Sequence, residues 1–274
     1  MCEACQPTAS RRRFLGGLLG AASVLAPSTT SAQPVNRQVR GPFLVEGKAG
    51  SPGLQINPRE AWGSSLPPKG LLEREESVRF LLVHHTAATN RYEQRAVPSK
   101  IREVYAYHTS RSKGWNDVCY NFFVDRFGGV WEGRAGSLAG PVRADATGGS
   151  QGFAQLVCLL GNFETEEPTT AMVESCSKVL GWLADKYAVD LDQRRPVAFV
   201  SRGSNRWPQG VKVNARPISG HRDMSATACP GRYVYELLEE TIPRAAKAAK
   251  EEFARNGRSG SSPSTISPGT GRRP

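Results

Sequence analysis

Residues 78–85, VRFLLVHH, form a nearly continuous apolar run that ends on two histidines. A run of that length without polar interruption fits a strand covered on both faces. From 99 to 108 the pattern changes: Ile101, Val104, Tyr105 and His108 recur at i, i+3, i+4 and i+7, one face of a helix. VCYNFFVDRFGGVWEGR (118–134) holds two short strand-like runs around Gly128 and Gly129, which can supply the positive φ of a hairpin turn, and Tyr120 enters from the first run. FAQLVCLLGNF (153–163) is a second buried-strand candidate, followed by a helix over about 168–187 with Val173, Cys176, Leu180 and Leu183 on its apolar face and Pro168 near its start. Residues 196–221 alternate strand-like pieces with Gly and Pro, and Pro230 opens a final helix carrying Val234, Leu237, Leu238 and Ile242. Strands interspersed with helices predict an α/β fold, a central mixed β-sheet flanked by α-helices in one domain over 56–254.

The ends differ from this middle. Residues 10–32 show a basic start, an apolar run of about a dozen residues and a small-residue exit at Ser31 and Ala32, the form of a secretion signal too short to span a bilayer. Ser10, Arg11, Arg12, Phe14 and Leu15 also fit twin-arginine export, which carries folded, cofactor-loaded proteins; an ordinary secretion signal is the alternative. Residues 1–32 therefore read as the signal and 33–55 as a linker. Residues 255–274, poor in apolar side chains and rich in Gly, Ser and Pro, read as a disordered basic tail.

Of the formal charge of +11, the signal's basic start and the C-terminal tail account for more than half, so the core is only modestly basic. That excess suits an exported protein held near anionic cell-wall polymers. No basic stripe is interleaved with aromatics, which argues against nucleic acid as a partner. No stretch outside the signal could be inserted stably in a membrane, and no heptad pattern predicts a coiled-coil partner, so a secreted monomer is expected.

Cys2 and Cys5 leave with the signal. If Cys229 is a metal ligand, Cys119, Cys158 and Cys176 permit at most one disulfide; Cys119–Cys158 is the candidate pair and Cys176 reads as core. The histidines of 80–89 together with His221 and Cys229 compose a set suited to an open zinc site, in which three protein ligands leave a fourth position for water. Adjacent residues on a strand point to opposite faces, so only one of His84 and His85 can face such a site. Cys229 lies just before Pro230 at a helix start, where the backbone dipole favours the thiolate that zinc requires.

Six motifs then stand in order: RxxWG (59–63), HHTA (84–87), GWxDxxYNFxV (114–124), GxVWEGR (128–134), LLGNF (159–163) and GHRDxxxTxCPG (220–231). With them the chain resembles the zinc-dependent N-acetylmuramoyl-L-alanine amidases of the peptidoglycan recognition protein and type 2 amidase family, over about residues 56–250 and closest to the secreted bacterial branch. The resemblance implies a Zn²⁺ cofactor held by His84, His221 and Cys229, with His85 left to packing or hydrogen bonding. It implies Tyr120 as the active-site tyrosine, Thr227 in a secondary orienting role or in loop packing, and His108 lining the substrate groove or sitting in the core. Peptidoglycan or muropeptides would be the substrate, cut between N-acetylmuramic acid and L-alanine. Asp117, Arg134 and Arg222 are expected to be structural. One departure stands out: RADATGGSQGF (143–153) lacks the histidine that related amidases carry there, and Asp145 lies nearby. Three rivals remain open: a peptidoglycan-binding module without hydrolysis, a closed structural zinc site, and a zinc peptidase acting within the stem peptide.

Overall fold

The apolar run ending in two histidines becomes β3 (Phe80–His85), a fully buried strand with parallel neighbours on both sides. The computed structural model describes residues 43–45, 53–150 and 152–259. Seven strands form one mixed sheet in the order β1-β2-β5-β4-β6-β3-β9. They are β1 (Phe43–Val45), β2 (Leu54–Asn57), β4 (Phe122–Val124), β5 (Val130–Glu132), β6 (Ala154–Leu159) and β9 (Ile218–Gly220), with β3 near one edge. β4 and β5 are the expected antiparallel hairpin, and Gly128 adopts φ +84° at its turn. Gly129 does not need a positive φ; its constraint is space, since a Cβ there would lie 2.3 Å from Asp125 Oδ2.

Period-two alternation divides the core into two layers. Leu81 and Val83 of β3 join Phe122, Val157 and Leu159 against α3 (Thr170–Lys186), α5 (Arg232–Leu237) and α6 (Thr241–Ser259). Phe80 and Leu82 join Phe123, Leu156 and Cys158 against α2 (Val97–His108) and the small α1 (Glu60–Gly63). The α2 face is the predicted one: Ile101, Val104, Tyr105 and His108 are all buried. α3 begins just after Pro168, capped by the Thr169 side chain, which accepts the Met172 amide. Beyond it, β7 (Val197–Val200) and β8 (Lys212–Ala215) pair antiparallel as a separate two-stranded hairpin, and α4 (His221–Met224) follows β9 directly.

Several expectations change. Phe43–Val45 pairs antiparallel with Leu54–Asn57, so the segment read as a linker over 33–55 contributes the outermost strand and the start of its neighbour. The single final helix is two, α5 and α6. A continuous helix would drive the Pro243 ring into the carbonyl of Glu239, whereas Pro243 is tolerated in the first turn of α6. α6 also runs past Arg255 to Ser259, into the segment read as a disordered tail. Tyr120 precedes β4 instead of lying on it. The candidate disulfide is absent: Cys119, Cys158, Cys176 and Cys229 are all buried and none is bridged. The signal reading falls on residues outside those described, as does most of the tail. Among the described residues no helix is long and apolar enough to cross a membrane.

Candidate metal centre

Strand parity decides between the two histidines. His84 follows the α2-facing set of Phe80 and Leu82, while His85 follows Leu81 and Val83 toward α3. On its own face His85 is already used: its Nδ1 accepts the Phe163 amide at 3.2 Å and its ring lies against Phe163. His84 instead stands with His221 and Cys229, the ligand-type atoms of the three lying within 4.8 Å of one another. His221 enters from the first residue of α4, its ring centroid 4.5 Å from that of His84. Cys229 Sγ is 3.7 Å from His84 Nδ1.

All three are buried: His84 0%, His221 1% and Cys229 1% exposed. The Cys229 sulfur accepts the His85 backbone N–H at 3.4 Å, a contact that favours a thiolate. His221 Nδ1 is buried with no hydrogen-bond partner among the described residues. Burying an imidazole nitrogen unpaired costs free energy, and a cation at the centre of the three donors would recover it. The donor types, two imidazoles and a thiolate, match zinc's preference, and among the described residues no fourth His, Cys, Asp or Glu joins the group. The residues fit an open zinc site.

The loop joining His221 to Cys229 is held from outside. Asp223 Oδ2 accepts the Gly220 amide and its Oδ1 accepts the Tyr235 hydroxyl at 2.6 Å, tying α4 to β9 and α5. Gly231 takes φ +90° where α5 starts, and any Cβ would lie 2.3 Å from the Phe163 carbonyl carbon. The β7–β8 connection adds contacts that sequence reasoning missed. Asn205 exchanges two hydrogen bonds with the Ala226 backbone, Ser204 Oγ donates to Met224 O, and Trp207 Nε1 donates to Asp223 O. Only the turn-forming residues of GSNRWPQG hinted at a compact loop there; nothing in the linear pattern announced its partner.

The remaining predicted residues divide. Tyr120 is brought to the centre, its ring centroid 5.2 Å from that of His84. Thr227 Oγ1 accepts the Cys229 amide at 3.1 Å, a loop-shaping contact next to the sulfur. His108 is buried behind Tyr120, with Nδ1 accepting the Cys119 amide at 3.2 Å. Asp117 ion-pairs with Arg59 and also accepts the Val118 and Ala135 amides. Arg134 bonds Val118 O and Asp145, so the departing 143–153 segment is tied to the Tyr120 region by an ion pair. Arg222 donates to Ala228 O and pairs with Glu164. An open recess of about 110 Å³ lies past the C-terminal ends of β3 and β6, lined by Thr86, Ala88, Tyr92, Val104 and Leu160, with the Lys100–Glu103 ion pair from α2 beside it.

The sequence matches the family described as N-acetylmuramoyl-L-alanine amidase (Amidase_2) over residues 74–232, more than half the chain. The chain belongs to the Amidase_2 family. All three residues of the centre, Tyr120 and Thr227 lie inside the matched span. Relatives of this Amidase_2 chain carry two kinds of name. Peptidoglycan-recognition protein SC2 of Drosophila melanogaster is 28% identical over 187 residues, covering 68% of this chain and 85% of the relative. The N-acetylmuramoyl-L-alanine amidase of Sus scrofa is 28% identical over 210 residues, covering 73% of this chain but 29% of that longer protein. Among solved structures, bumblebee PGRP-SA superposes with a TM-score of 0.54 at 19% identity, covering 69% of this chain and 96% of its own. The PGRP-LCa and PGRP-LCx ectodomain complex bound to tracheal cytotoxin gives 0.53 at 23%, covering 68% and 95%. At such identities these structures establish a shared fold.

Proposed function

We propose that this protein is a zinc-dependent N-acetylmuramoyl-L-alanine amidase, exported and acting on peptidoglycan or its muropeptides. The observation that carries the reading is the buried His84–His221–Cys229 group with Tyr120 against it, inside a chain of an amidase family. His84, His221 and Cys229 would hold Zn²⁺, which when bound polarises a carbonyl and acidifies water at an open position. Cys229 would bind the ion through its sulfur, to which the His85 amide donates, and His84 and His221 through ring nitrogens. Tyr120 would donate its phenolic O–H to the scissile carbonyl oxygen as charge builds on it. Thr227 shapes the loop before Cys229, and the scissile bond would be the amide between the lactyl group of N-acetylmuramic acid and L-alanine.

A recognition module without hydrolysis is the second reading, favoured by the names of several relatives. The retained Cys229 and Tyr120 favour catalysis. Incubation of the zinc-loaded protein with purified muropeptides and intact sacculi, beside Cys229→Ala, tests it by mass spectrometry of the products. New L-alanine amino termini, absent with the variant, are expected. Binding of wall material with no release from any substrate would replace the amidase reading with the recognition one, and cleavage within the stem peptide would make the protein a peptidase.

A further inference from the structure

Tyr120 is held through its neighbours. The backbone around it is tied at several points: Asp117 Oδ1 accepts the Val118 amide, the Arg134 amide donates to Tyr120 O at 2.8 Å, and the Asn121 amide donates to Leu156 O at 3.1 Å. The amide immediately before Tyr120, that of Cys119, donates to a side chain, His108 Nδ1, at 3.2 Å. That contact makes Nδ1 the acceptor, which leaves the ring proton of a neutral imidazole on Nε2, 3.6 Å from Cys119 Sγ.

His108 is also a wall. It closes α2, is 3% exposed, and meets the Tyr120 ring edge-on at 5.6 Å between centroids, with Trp115 packed edge-on against it at 4.9 Å. The Tyr120 ring therefore neighbours both His84 and His108. We infer that His108 is a positioning residue for Tyr120, acting through the Cys119 amide and the edge of its ring, and is not a groove residue that touches substrate. What Tyr120 is positioned for rests on the amidase reading; the contact itself does not.

Two variants separate the roles. His108→Asn keeps an oxygen able to accept the Cys119 amide, whereas His108→Leu keeps apolar volume and cannot accept it. Loss of the acceptor should speed Cys119 amide exchange and lower kcat by roughly 10²-fold through misplacement of Tyr120, with KM and zinc content near wild type. His108→Asn should restore both protection and most of kcat. A raised KM at unchanged kcat in His108→Leu would overturn the inference, as would unaltered Cys119 exchange in that variant. The ¹⁵N shifts of His108 in the wild-type protein provide a readout that survives if His108→Leu fails to fold. An unprotonated Nδ1 and protonated Nε2 are expected, and the opposite tautomer would overturn the inference. If the wild type cleaves nothing, the amidase reading fails on its own, while exchange and tautomer still decide what His108 does.

Discussion

The two faces of the central sheet are built from the same strands and do different work. Toward α3 and α6, Leu81, Val83, Phe122, Val157 and Leu159 make an apolar layer in which the one histidine, His85, is bonded to the Phe163 amide. Toward α2, Phe80, Leu82, Phe123 and Cys158 are core, and the same side carries His84 near the end of β3, Tyr120 just before β4 and His108 at the end of α2. A one-residue difference in parity thus separates packing from a donor site. The core face positions the site by making strand register costly to change, since a slip would turn His85 inward and His84 away.

Four changes would break or sharpen that contrast. Phe122→Ala, on the α3 face against Trp182, should cost about 3–5 kcal/mol of stability, read by denaturant unfolding, while the folded fraction keeps zinc. Tyr120→Phe, on the opposite face, should reverse the pattern: full zinc content and near wild-type stability with turnover down roughly 10²–10³-fold. Normal turnover would remove Tyr120 from the mechanism.

Glu75 gives a pH test away from both faces. Its carboxyl is buried, and that burial pushes its pKa up to about 8, with backbone hydrogen bonding at Gly152 and Ala144 offsetting only part. A carboxyl with a raised folded-state pKa contributes stability that is complete below its unfolded pKa near 4.5 and is lost as pH rises to about 8. Wild-type stability should therefore fall between about pH 5 and 8 by a few kcal/mol more than that of Glu75→Gln. Parallel curves would show that Glu75 ionises normally. The smallest effect is expected of Asn205→Ala, which removes the exposed amide pairing with Ala226: about 1 kcal/mol of stability, and zinc affinity weakened roughly tenfold through a looser His221–Cys229 loop.

What the sequence made legible follows from range. The apolar run at 80–85, the i, i+3, i+4, i+7 face of α2 and the Gly128 turn are local patterns, and each becomes the element it predicts. The donor residues were readable as types. Spacing alone left His84 and His85 open and only the family resemblance named His84; that it stands beside His221 and Cys229 is a tertiary fact set by the parity of β3. β1 was hidden because three residues, Phe43–Val45, are too few to show a period, and only pairing with β2 makes them a strand. The Cys119 partner of His108 and the grip of Asn205 on Ala226 each join residues outside any common helix or strand, so no local period announces them.

Zinc content and affinity of His84→Ala and His85→Ala, measured side by side on folded protein, test most directly whether His84, and not its neighbour, completes the centre with His221 and Cys229. The geometry predicts that His84→Ala loses zinc while His85→Ala retains it with reduced stability. Zinc retained by His84→Ala and lost by His85→Ala would contradict it.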